Sequence, residues 1–214
     1  MRKRYMRLIV ILVVGLGLWG WWYRTPRQIR VRPANVGAKS FSVGWFSKKP
    51  SRGCVMAVES WKFKSWKDWV IKCDDEKTQW HLVDFKGVKP GTEYQLVVMS
   101  GLRVTFKNIL SVKTKEISDQ PPLIPKPAYG NVVDQKGNPV EGVLVYITAE
   151  AKTFNYPVAG VTNRQGNYGI DVGELSQISE SLVLDAVGSR GYWKELLIST
   201  EGITPAPTIT VANK

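Results

Sequence analysis

From residue 28 onward the chain alternates short apolar runs with polar breaks that carry glycine or proline, and no stretch keeps a helical period for long. Runs rich in Val, Ile, Tyr, Phe and Trp fall at residues 30–36, 40–46, 54–60, 69–73, 80–85, 93–100 and 106–114. β-Branched and aromatic residues suit a pleated, half-buried surface, so these runs read as seven strands in about 90 residues. That density is the pattern of a β-sandwich. In residues 40–46 the large side chains Phe41, Val43 and Trp45 alternate with smaller ones, which points them at the core. The turn Pro90-Gly91 precedes Tyr94 at the head of a strand. This is the spacing of a corner in which the tyrosine hydroxyl bonds back to the preceding loop.

Residues 1–27 follow another pattern. Arg2, Lys3, Arg4 and Arg7 form a basic head, and residues 8–23 carry no charge. As a helix those residues would span about 24 Å, short against a hydrocarbon core of about 30 Å. The run closes on Trp19, Trp21, Trp22 and Tyr23, rings that favour the headgroup interface. No small-residue cleavage pattern follows, so the segment reads as an uncleaved anchor rather than a signal peptide. Arg24, Arg27, Arg30 and Arg32 balance the bases before the run, so side-chain charge does not set the orientation. Export of a β-rich body holding two cysteines fits an N-inside topology, and we expect a single-pass protein of the cell membrane with its C-terminal domains outside the cytoplasm.

Pro121, Pro122, Pro125 and Pro127 mark a linker at residues 118–127, read as a semi-rigid spacer. Beyond it, "GNVVDQKGNPVEGVLVYI" (130–147) and "GVTNRQGNYGIDV" (160–172) repeat one device. Each is a polar turn with a glycine, followed by entry into a strand. Gly137, Gly142 and Gly166 supply the positive φ of these turns, and Tyr168 leads the strand after the last.

The net charge of +12 is uneven. Residues 25–120 hold 18 Lys/Arg against 9 Asp/Glu, whereas residues 121–214 hold 7 against 9. The excess sits on the N-terminal segment and the first domain, which favours anionic lipid or an acidic envelope polymer. No nucleic-acid motif accompanies it, and none is expected as a partner. The segment "SWKFKSWKDWVIKCDD" (60–75) interleaves Trp61, Trp66 and Trp69 with Lys62, Lys64 and Lys67. Two readings stand. Alternating tryptophans would fill a β core while the lysines face water, and this is the reading periodicity favours. The same residues could instead form an exposed aromatic–basic patch for a polysaccharide or other polyanion. Cys54 and Cys73 fall in neighbouring predicted strands, as a disulfide if exported or as two buried thiols.

His81 is the sole histidine, and its neighbours Trp80 and Leu82 read as strand. Asp74-Asp75-Glu76 reads as a solvated turn. No metal-ligand spacing, nucleophile elbow or phosphate loop appears. We expect no catalytic, cofactor-binding or metal residues, no cofactor and no small-molecule substrate.

"SFSVGW" (40–45) with "GVKPGTEYQLVVMSG" (87–101) resembles the fibronectin type III family, in the bacterial form that is also similar to the N-terminal domain of purple acid phosphatases. The resemblance implies a β-sandwich over residues 28–117, used as a spacer or binding module, with Trp45 and Tyr94 structural. The glycine-turn segments resemble the carboxypeptidase regulatory-like domain, which implies a transthyretin-like seven-stranded sandwich over residues 128–214, with Gly137, Gly142, Gly166 and Tyr168 structural. The expected fold is all-β: two tandem β-sandwiches behind one N-terminal transmembrane helix. The expected role is structural, adhesive or scaffolding at the cell surface. The alternatives are a binding module for envelope polysaccharide and an accessory subunit of a membrane enzyme or secretion complex. Its partners would be the lipid bilayer and envelope polysaccharide or surface proteins.

Overall fold

The computed structural model describes residues 28–62, 66–101, 103–119, 121, 123–150, 156–188, 191–199 and 201–211. The N-terminal apolar segment, with Trp19, Trp21, Trp22 and Tyr23, lies outside the described residues, as does Lys64. No helix among the described residues is long and apolar enough to cross a membrane. The described chain is all-β, with a single four-residue helical turn, α1 (Leu175–Ile178), and two short 3-10 turns.

The first seven strands are β1 (Gln28–Ala34), β2 (Ser40–Ser51), β3 (Gly53–Glu59), β4 (Val70–Cys73), β5 (Thr78–Lys86), β6 (Glu93–Ser100) and β7 (Arg103–Lys113). They form two antiparallel sheets, in the orders β1-β2-β5 and β4-β3-β6-β7. Phe41, Val43 and Trp45 point between these sheets and pack with Val55, Leu96 and Val98. Phe41 stacks on its cross-strand partner Phe85 at 4.8 Å between ring centroids. The Lys89 backbone N–H donates to the Tyr94 hydroxyl at 3.0 Å, tying the β5–β6 loop to the head of β6.

The second set is β8 (Pro127–Asp134), β9 (Leu144–Ala149), β10 (Val158–Val161), β11 (Asn167–Asp171), β12 (Ser181–Gly188), β13 (Gly191–Ser199) and β14 (Ile209–Val211). Their sheets run β10-β9-β12-β13 and β11-β8-β14, and β14 lies parallel to β8. Val145 and Ile147 of β9 and Leu182 and Leu184 of β12 meet Val132, Tyr168 and Ile209 in the core between them. Two turns are built alike. The Asp134 carboxylate accepts the Lys136 and Asn138 N–H groups, and Asn163 Oδ1 accepts those of Gln165 and Asn167. Gly137 and Gly166 take the left-handed positions, at φ 83° and 74°. Side-chain caps and left-handed glycines build both loops, so these glycines turn corners.

The two sandwiches are docked face to face. Leu144 and Tyr146 of β9, Ala159 of β10 and Val187 of β12 meet Ala34 and Phe46 of the first sandwich in a separate apolar cluster, edged by Trp80 and Leu82. The sheets β1-β2-β5 and β10-β9-β12-β13 are therefore each covered on both faces along this seam. The proline-rich stretch was expected to space the modules. It joins two modules that are in contact, because Phe46 of β2 meets Leu144 and Tyr146 of β9 while the small Ser42 and Gly44 let Asn35 and Tyr146 come close. Asn35 completes the seam like a strand partner. Its Oδ1 accepts the Ala159 N–H at 2.8 Å, and its Nδ2 donates to the Ala159 carbonyl at 3.2 Å. The Arg32 guanidinium pairs with Asp185 at 2.8 Å and lies over the Tyr146 ring.

Candidate functional site

The aromatic–basic segment leaves β3 at Glu59, and the next strand among the described residues opens at Val70. Residues Ser60–Lys62 and Trp66–Asp68 form 3-10 turns. Strand alternation does not hold through such turns, which have three residues per turn. The expectation that alternate tryptophans fill the core is thus corrected at Trp61, which is 75% exposed. Trp69 is half-buried, Lys67 is exposed, and the Trp66 side chain lies outside the description.

Trp61 is nonetheless held in place. Its indole N–H donates to Glu59 Oε2 at 2.8 Å, and the Lys62 ammonium lies 4.6 Å from its ring centroid. Glu59 Oε1 pairs with Lys89 at 2.8 Å and with Lys62 at 3.9 Å. The Lys89 hydrogen bond holds the Glu59 carboxyl below its ordinary range against the opposing effect of burial, and Lys62 adds attraction. Glu59 in turn raises the Lys89 ammonium. The result is one indole face in water, flanked by cations and steered by a buried-edge carboxylate. Beside it, a groove of about 230 Å³ runs between β4 and β5 and is lined by Val70, Lys72, Lys86 and Lys89 with Glu59 and Asp68. Such a surface can stack a flat ring and place ammonium groups against an anion.

At the opposite end of β3, Cys54 and Cys73 are directly paired across β3 and β4 and joined by a disulfide. The bond fastens the edge strand β4 to the sheet. Next to it lies a polar array that sequence reasoning missed. The Asp74 carboxylate is hydrogen-bonded to His81 Nδ1, and Ser47 Oγ lies 3.1 Å from His81 Nε2. The Trp45 ring stacks on the imidazole at 4.6 Å. The sequence places Asp74 in a solvated turn. It instead faces a fully buried imidazole, which needs a polar partner once it leaves water. The only hint in the sequence was an acidic turn seven residues before a lone histidine. The partners meet through the β2–β5 register and the end of β4, which a single sequence does not fix.

The order Ser–His–Asp matches that of a nucleophilic triad, but the surroundings do not. Ser47 and His81 are both 0% exposed. The Ser47 hydroxyl donates to the Lys49 carbonyl at 2.8 Å and also receives Ser51 Oγ at 3.3 Å. Gly53 closes the array, since a Cβ there would stand 2.4 Å from His81 Nδ1. The array ties together β2, β5 and the end of β4 from a buried position. Among the described residues, no group of three or more His, Cys, Asp or Glu is placed to hold a metal ion.

Gly142, at φ 71°, receives the edge of the Trp80 indole from the other sandwich, so this turn glycine also seats the seam. Tyr168 is buried over Gly130, with its hydroxyl against the glycine backbone.

No family profile matches the sequence, and no curated protein matches it. Among solved structures, the sensor domain of the anti-sigma factor RsgI4 in Pseudobacteroides cellulosolvens is similar at 16% identity and TM-score 0.34, over 44% of this chain and 99% of that one. A two-domain fibronectin type III segment of chicken tenascin is similar at 11% identity and TM-score 0.27, over 82% and 99%. The major pilin subunit BcpA of Bacillus cereus is similar at 9% identity and TM-score 0.26, over 88% and 70%.

Proposed function

We propose that this chain is a membrane-anchored cell-surface protein. Its two docked sandwiches, fibronectin type III-like and then carboxypeptidase regulatory-like, serve a structural, adhesive or scaffolding role outside the cytoplasm. The observation that carries the reading is a disulfide on an edge strand, Cys54–Cys73, in a chain whose first 24 residues have a basic head, an apolar run and an aromatic close. Disulfides persist in oxidising compartments, and segments of that composition hold proteins in bilayers. Two sheets of three and four strands with the Tyr94 corner support the first assignment. Seven strands with paired Asx turns support the second. Protease treatment of intact cells tests the topology. The sandwiches should be accessible before lysis, and protection until lysis overturns the reading.

The exposed Trp61 ring favours a second role for the same surface, recognition of an anionic envelope polysaccharide. Trp61→Ala should weaken binding to such a polymer by about tenfold, the scale of one lost stacking contact. The thermal midpoint should stay in place, because the ring lies outside the core.

A further inference from the structure

Strand register decides which end of the first sandwich meets the chain that precedes it. Gln28 opens β1 opposite Ser47 of β2. The pairs Ser51↔Thr78 and Gly53↔Ser100 place the β2–β3 turn and the entry to β5 at that same end. The end of β2 and these turns expose Lys48, Lys49, Arg52 and Lys77. Asp74 is engaged by His81, which leaves Asp75 and Glu76 as the exposed acids in the adjoining turn. Bases therefore outnumber acids on this end. Glu59 and Trp61 lie at the other end of β3, about 23 Å away for a seven-residue strand.

Only residues 24–27 separate Tyr23 from Gln28. Even fully extended, that link spans at most about 18 Å. The polar zone of a bilayer leaflet is itself about 5–8 Å deep. A sandwich tethered so closely must bring its tethered end to the lipid surface. We infer that the basic end formed by Lys48, Lys49, Arg52 and Lys77 rests on an anionic phospholipid surface. The sandwich then stands upright, with Trp61 and its cations directed away from the membrane. This rests on the reading of residues 8–23 as a membrane anchor. It adds an orientation that the anchor alone does not impose, and it places the aromatic patch where an envelope polymer can reach it.

The test uses the full chain reconstituted into vesicles of phosphatidylcholine alone, or of phosphatidylcholine with phosphatidylglycerol. Lysines on outward-facing copies are acylated with an impermeant reagent and mapped by mass spectrometry. With phosphatidylglycerol at low salt, Lys48, Lys49 and Lys77 should react several-fold more slowly, while exposed Lys67 and Lys136 stay unchanged. High salt should erase the difference, because screening removes a surface attraction. In the Lys48→Glu/Lys49→Glu chain, Lys77 should lose its protection. An alkaline wash reports on the anchor separately. If the chain stays in the bilayer but the lysines react alike in both lipids, the inference is overturned and the anchor stands. If the chain washes off, the anchor reading fails and the inference falls with it.

Discussion

Gly44 and Tyr146 show how one missing methyl group permits two domains to meet. Gly44 lies on the outer face of β2, and a Cβ there would stand 2.2 Å from the Tyr146 hydroxyl. That tyrosine is 1% exposed, so the ring has nowhere to move. Gly44→Ala should therefore cost about 1–3 kcal/mol, the range for overpacking a filled site. The Tyr146 hydroxyl itself has no hydrogen-bond partner among the described residues, and burial pushes its pKa well above the ordinary phenol value. Tyr146→Phe removes an unsatisfied buried group and should leave stability unchanged or raise it by up to about 1 kcal/mol. In the double variant the alanine loses its nearest clash, so the loss should be smaller than for Gly44→Ala alone. Thermal or urea melts of the three variants read this directly. Equal losses in the single and double variants would show that the oxygen is not the obstacle.

At the scale of strands, the sequence was legible where one face of an element is wet and the other dry. β5 follows that rule from Val83 to Lys86, where buried and exposed positions alternate. β2 obeys it only in part. Phe41, Val43 and Trp45 were legible as core, but nothing in the sequence marks the face of Ser42 and Gly44 as one that another sandwich covers. They are small because Asn35 and Tyr146 approach them. Trp61 failed for a different reason: its neighbours are charged whether the backbone is strand or 3-10 turn, and composition does not separate the two. Two predictions belong to this scale. The disulfide closes a sequence separation of 19 residues between β3 and β4. Replacing both cysteines by serine should cost about 3 kcal/mol on loop entropy, measured as a drop in the urea midpoint. The second concerns the β8–β11 pair, where burial pushes the Tyr168 phenol up to about 12. An unfolded tyrosine gives up its proton near pH 10. Its contribution is thus fully present below about pH 10 and is lost as pH rises from there through about 12. Melting temperature should fall across that window, and less steeply in Tyr168→Phe. An identical slope in the variant would place the alkaline loss elsewhere.

For the whole molecule, the decisive question is whether two sandwiches behave as one body. Domains of one chain move independently by default unless a large apolar interface joins them. Here the interface combines an apolar cluster, the strand-like bonds of Asn35 to Ala159, and the Arg32–Asp185 pair. Lys115 and Glu174 add an exposed pair, and Tyr156 accepts the Lys113 N–H at 3.0 Å. A seam of this kind holds the two sandwiches in one relative orientation. Phe46 gives a clean test because it belongs to the seam cluster and to neither sandwich core. Phe46→Asp buries a carboxylate in the docked state, whereas the undocked state lets water reach it. The variant should keep both sandwiches folded but release them from each other. Calorimetry should then resolve one transition in the parent and two in the variant. Small-angle scattering should show a larger radius of gyration, and proteolysis in residues 118–127 should quicken. If the parent already melts in two steps, or if Phe46→Asp keeps the parent's radius, the seam does not couple the halves. The proline-rich stretch would then be a spacer after all.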